Sequence, residues 1–128
     1  MRVQRILHTT FLVSDLQRSL AFYCGVLGMK VDASRPDLGF PGSWFSIGDS
    51  QIHLMQLPNP DPVSGRPEHG GRDRHTALSV DSIKSLAEAL EKNGIAYSRS
   101  RSGRPAIFCR DPDGNALEFV ELKETNGG

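Results

Sequence analysis

Four side chains have the types and spacing to hold a cation between them: His8, His53, His75 and Glu118. The chain carries only four histidines, and three of them fall at matching places in two copies of one pattern. The segment His8-Thr9-Thr10-Phe11-Leu12-Val13-Ser14-Asp15-Leu16 aligns with His75-Thr76-Ala77-Leu78-Ser79-Val80-Asp81-Ser82-Ile83, and Ile52-His53-Leu54 aligns with Leu117-Glu118-Phe119. Each copy thus supplies one ligand-type residue on its first strand and one on its last. Period-2 alternation turns each away from its apolar neighbours. A twofold relation between the copies would gather three imidazoles and one carboxylate around one divalent ion (Zn, Ni, Co, Mn or Fe), and a two-histidine, one-carboxylate subset would leave positions open for substrate oxygens. A single strand histidine is ordinarily a hydrogen-bonded surface residue; the repeat-equivalent placement of three is what favours a metal centre. His69, in a loop beside Glu68, is expected to have no ligand role.

The elements that must position these groups follow the same repeat. In both copies a Ser/Asp pair precedes a helical pattern, as expected of an N-cap whose oxygen accepts from a free backbone N–H. Leu16, Leu20, Tyr23 and Leu27 recur at helical spacing in the first copy, and Ile83, Leu86, Ala87 and Leu90 in the second. Gly28 and Gly94 are placed to end the helices. Three strands follow each helix: 29–33, 43–47 and 51–57, then 95–100, 105–110 and 116–122. Gly48-Asp49-Ser50 and Asp111-Pro112-Asp113-Gly114-Asn115 form the turns before the last strands. The expectation is an α+β fold of two tandem βαβββ modules whose curved mixed sheets surround a cleft. Repeats 4–57 and 74–122 form one domain over 1–128, joined by an ordered loop over 58–73 with neither strand nor helix.

Composition bounds the function class. With 38% hydrophobic residues the 128-residue chain can build a modest core, and no apolar run approaches the ~20 residues that span a bilayer. The N-terminus lacks the apolar stretch of a signal peptide, which points to the cytoplasm. Fifteen basic and fifteen acidic side chains cancel, leaving no overall field to recruit nucleic acid or a membrane surface. Cys24 and Cys109 have no zinc-motif or disulfide spacing and are expected to be reduced filler.

These features resemble the vicinal oxygen chelate superfamily, which includes glyoxalase I, extradiol dioxygenases, fosfomycin resistance proteins, methylmalonyl-CoA epimerase and bleomycin resistance proteins. The resemblance rests on Leu7-His8-Thr9-Thr10-Phe11-Leu12-Val13-Ser14-Asp15-Leu16-Gln17-Arg18-Ser19, on Phe22-Tyr23 to Val26-Leu27-Gly28-Met29, and on Asp111-Pro112-Asp113-Gly114-Asn115 to Leu117-Glu118. Glyoxalase I-like proteins are the nearest match. The resemblance implies paired modules, one divalent metal per site, a homodimer with sites often shared between subunits, and a small-molecule substrate with two neighbouring oxygens. His8, His75 and Glu118 match the ligands of many metal-dependent members. His53 stands where bacterial glyoxalase I has a glutamate, one of the two metal-bound glutamates implicated there in moving the substrate proton. In a glyoxalase-like lyase or isomerase, Glu118 or a metal-bound hydroxide would be the base that takes a proton next to a carbonyl. The tetrapeptide Ser-Gly-Arg-Pro occurs at Ser64–Pro67 and Ser102–Pro105. It nominates Arg66 and Arg104 to bind an anionic substrate tail, although turn arginines equally often face water. The same scaffold also hosts Fe- or Mn-dependent dioxygenases, thiol transferases and drug- or metabolite-binding resistance proteins.

Overall fold

A computed structural model describes residues 1–123 and divides the chain into two compact units, Met1–Asp61 and Pro62–Gly128. The first runs β1 (His8–Val13), α1 (Leu16–Leu20), a π-helical segment Ala21–Val26, β2 (Lys30–Val31), β3 (Gly42–Ile47) and β4 (Ser50–Gln56). The second runs β5 (His75–Val80), α2 (Ile83–Lys92), β6 (Tyr97–Arg99), β7 (Ala106–Arg110) and β8 (Ala116–Glu121). Each sheet has four strands, in the orders β1-β4-β3-β2 and β5-β8-β7-β6. In each, the first strand pairs parallel with the last and the remaining pairs are antiparallel. This is the βαβββ module twice over, as the repeat implies.

Local chemistry explains the helix boundaries. The Asp15 carboxylate accepts from the backbone N–H groups of Gln17 and Arg18, and the Ser82 hydroxyl accepts from Ser85 N–H. The end of each last strand adds a second cap. Gln56 Oε1 accepts from Leu16 N–H at 2.8 Å and Glu121 Oε1 from Ile83 N–H at 3.0 Å. These caps tie each helix to the strand that carries a candidate ligand. Gly28 and Gly94 leave the helices at φ 72° and 68°, where a side chain would be strained.

Each helix covers one face of its own sheet. In the first unit Tyr23 packs on Phe45 and meets Phe22 edge-on, and Phe45, Ile52, Leu54 and Val13 are buried there. In the second, Leu90 of α2 is buried with Ile107, Leu117 and Phe119. Alternation then turns His8, His53, Trp44 and Gln51, and likewise His75, Glu118 and Phe108, to the face away from the helix.

Besides the shortening of the strand expected over 95–100 to Tyr97–Arg99, the observed elements differ from the sequence expectation in three places. The first helix widens into π-helical geometry after Leu20, which sets the adjacent Phe22 and Tyr23 side by side in the core. The strand expected over 29–33 shrinks to Lys30–Val31, because the Asp32 carboxylate accepts from Ser34 N–H and turns the chain. The 58–73 loop contains a 3₁₀ turn at Gly70–Arg72. Among the described residues no helix is long and apolar enough to cross a membrane.

Candidate metal centre

Strand register places the two candidate pairs identically. His8 lies opposite Gln51, two residues before His53, and His75 lies opposite Ala116, two residues before Glu118. Beside them, Trp44 is paired with His53 and Phe108 with Glu118. Each unit therefore presents a two-residue half-site on adjacent parallel strands. Among the described residues no group of three or more His, Cys, Asp or Glu side chains forms a metal-holding cluster; each unit by itself offers a pair.

In the first unit the His53 ring is sandwiched between His8, at a centroid distance of 4.0 Å, and Trp44, at 4.3 Å. Burial, reinforced by the nearby His8 and Arg35, holds its pKa below the ordinary histidine value against the opposing pull of Asp32. His53 is thus a neutral imidazole at pH 7. Its tautomer follows from its neighbours. Gln51 Nε2 donates to Asp32 Oδ2 at 2.7 Å, so Gln51 Oε1 is the atom facing His53 Nε2 at 2.8 Å. An oxygen there accepts, so the ring proton sits on Nε2 and the lone pair on Nδ1.

In the second unit His75 Nδ1 lies 2.9 Å from the Asp73 carbonyl, and Nε2 lies 3.1 Å from Glu118 Oε1. A neutral His75 that donates Nδ1–H to the carbonyl turns its Nε2 lone pair onto a carboxylate oxygen. That contact is satisfied only when a cation, proton or metal, lies between the two atoms. The donor set therefore suits a divalent ion, and an imidazole anchored through its other nitrogen to a carbonyl is the usual outer support of such a ligand. Glu118 is buried, at 5% exposure. Arg104 donates to its second oxygen at 2.8 Å while staying half-exposed.

The loop that precedes His75 is held by a network the sequence reading did not identify. Arg110 donates to Asp73 Oδ2 at 2.8 Å, to the Gly114 carbonyl at 2.7 Å and to the Pro67 carbonyl at 2.6 Å. Arg66 pairs with Asp73 at 3.2 Å, so its charge is already matched. The Arg110 hydrogen bond, foremost, lowers the Asp73 pKa. Glu118 is set in place by the turn before β8, where Asp111 Oδ1 accepts from the Asp113 and Asn115 N–H groups. Gln51 was legible in principle, since it lies two residues from His53 on the same strand face. Asp32, just past β2, and Arg110, on β7, reach the site from other segments, and no spacing along the chain announces them. His69 is not beside either pair; it caps Gly71 N–H through Nδ1.

Residues 5–119 match the Glyoxalase/Bleomycin resistance protein/Dioxygenase superfamily. The chain belongs to that superfamily. It is 33% identical to lactoylglutathione lyase of Salmonella typhimurium and to that of Haemophilus influenzae, in each case over 97% of both chains. Among solved structures, a glyoxalase family protein from Bacillus anthracis superposes with a TM-score of 0.76 at 28% identity, over 96% of this chain and 100% of that one. A fosfomycin resistance protein from Mesorhizobium loti shares the fold, with a TM-score of 0.68 at 24% identity over 93% and 92% of the two chains.

Proposed function

We propose that the protein is a cytoplasmic, metal-dependent lyase or isomerase of the glyoxalase I kind, acting as a homodimer on a small substrate with two neighbouring oxygens. The observation that supports it is the identical register of His8 with His53 and of His75 with Glu118 on the helix-free sheet faces. Together the four would hold one divalent ion (Zn, Ni, Co, Mn or Fe), which supplies Lewis-acid stabilisation of charge developing on the substrate oxygens.

The chain's own residues do the rest. Glu118 is the single carboxylate of the set, so it is the base that removes the proton beside the carbonyl and returns it to the neighbouring carbon. Arg104 donates to Oε2, while Oε1 faces His75 Nε2, so the carboxylate would have to shift off the ion to take the proton. Burial of that carboxylate keeps the proton from exchanging with water. Arg104 retains further N–H donors for an anionic group of the substrate, whereas Arg66 would have to release Asp73 to do the same. His53, neutral and held by Gln51, orients rather than transfers.

The test is metal content of protein purified without added metal, together with turnover of the methylglyoxal–glutathione hemithioacetal. Wild type should carry about one divalent ion per site, and Glu118→Gln should lower kcat by at least about 100-fold. His53→Glu restores a second carboxylate and should raise turnover. Protein that neither retains nor takes up divalent ions, or turnover indifferent to Glu118→Gln, overturns the reading.

A further inference from the structure

Between β6 and β7 the second copy of Ser-Gly-Arg-Pro turns the chain through Gly103, at φ 82°. The turn is tied at its ends: Ser100 N–H donates to the Ala106 carbonyl at 3.0 Å, and Ala106 N–H to the Arg104 carbonyl at 2.8 Å. Arg104 therefore leaves a fixed stretch of backbone. Its Nε donates to Ser102 Oγ at 3.3 Å, and that hydroxyl lies 2.7 Å from Ser100 Oγ, so two serines brace the side chain. From there the guanidinium reaches Glu118 Oε2 at 2.8 Å. The two ends of this ion pair sit in different surroundings. The Glu118 side chain is 6% exposed and the Arg104 side chain 58%. A carboxylate so buried depends on a nearby cation, whereas an exposed guanidinium keeps its water.

A divalent ion held by His75 and Glu118 would meet a carboxylate that already has a cation. Oε1 faces His75 Nε2 at 3.1 Å, and Oε2 is taken by Arg104. The guanidinium then acts on the ion in two ways of the same sign. It repels a like charge across one carboxylate. It also spares the metal-free protein most of the cost of an unpaired buried anion, a cost that ion binding would otherwise relieve. We propose that Arg104, braced by Ser102, is a positioning residue that leaves Glu118 one oxygen for the ion. It weakens the hold of the candidate centre on its metal and stabilises the metal-free fold in exchange. This rests on the proposed function for the presence of the ion; the Arg104–Glu118 pair itself does not.

The experiment reads metal affinity and stability rather than turnover. Wild type, Arg104→Met, Arg104→Lys and Ser102→Ala are stripped with a chelator and titrated with zinc against a chromophoric competitor at constant ionic strength. Thermal melts are recorded with and without saturating zinc. Arg104→Met should bind zinc at least about tenfold more tightly than wild type. It should also melt lower without the ion and gain more when zinc is added. Arg104→Lys, which keeps the charge, should bind nearer to wild type than to Arg104→Met, and Ser102→Ala should fall between those two. A residue that only supported the fold would move affinity the other way. Zinc binding by Arg104→Met no tighter than wild type therefore overturns the proposal, and so does an equal tightening in Arg104→Lys. Ser102→Ala no tighter than wild type overturns the brace. If Arg104→Met does not fold without zinc, Arg104→Gln, neutral but still polar, carries the same comparison. Zinc binding that ignores residue 104 defeats this proposal alone, whereas no zinc binding by wild type or any variant defeats the metal-dependent reading with it.

Discussion

Replacing Arg110 by methionine should unfasten the loop that aims His75. The arginine makes three hydrogen bonds, to Asp73, Gly114 and Pro67, and methionine keeps the stem's packing while deleting all three. A charge-assisted bond to a carboxylate contributes about 1.5–3 kcal/mol, and leaving the two carbonyls without a donor adds roughly 1 kcal/mol more. The expected loss is about 3 kcal/mol, which at roughly 1.5 kcal/mol per molar urea lowers the midpoint by about 2 M. The carboxylate's share can be isolated by a double-mutant cycle with Asp73→Asn, in which the two single losses exceed the double loss by about 2 kcal/mol. In Arg110→Met the Asp73 carboxylate still has Arg66 and the Arg74 N–H, whereas Asp73→Asn weakens both arginine pairs at once. The same variant should bind divalent ions roughly tenfold more weakly, because the Asp73 carbonyl that orients His75 is no longer anchored. Urea melts followed by circular dichroism give the cycle. A coupling below about 0.5 kcal/mol would refute the claim that this ion pair, rather than arginine packing, secures the loop.

Two further outcomes follow from the geometry. Asp32→Asn should invert the His53 tautomer: Ser34 N–H holds the side-chain oxygen, so the new amide nitrogen faces Gln51, reverses it and turns a donor towards His53 Nε2. Long-range proton–nitrogen NMR of the imidazole would show the ring proton moving from Nε2 to Nδ1, and the same tautomer in both proteins would disprove the relay. Burial, with Asp111 nearby, pushes the Cys109 thiol up to about 12. Only about one molecule in ten thousand is then thiolate at pH 8, so an aromatic disulfide reagent should label Cys109 slowly until denaturant is added and faster as pH rises. Rapid labelling of Cys109 at pH 8 in native Cys24→Ser protein, which removes the more accessible thiol, would contradict the burial.

The duplication, both helix caps and the strand pattern were legible in the sequence because they are local. Caps, alternation and 3.6-residue spacing each depend on neighbours a few positions away, and the repeat let one copy check the other. His8, His53, His75 and Glu118 were legible for the same reason, as equivalent positions on strands of known phase. Tertiary structure alone decided what surrounds them. Parallel pairing of first and last strands brings residues about 45 positions apart into one register, which makes His75 meet Glu118 and His8 stack on His53. The groups that set proton positions come from still other segments: Asp32 beyond a short edge strand, Arg110 from the neighbouring strand, Asp73 from the loop. Arg66 and Arg104 looked alike in their shared tetrapeptide, yet one is matched by Asp73 and the other rests on Glu118. A side chain's charge is written in the sequence, but its partner depends on which strands the folded sheet places side by side.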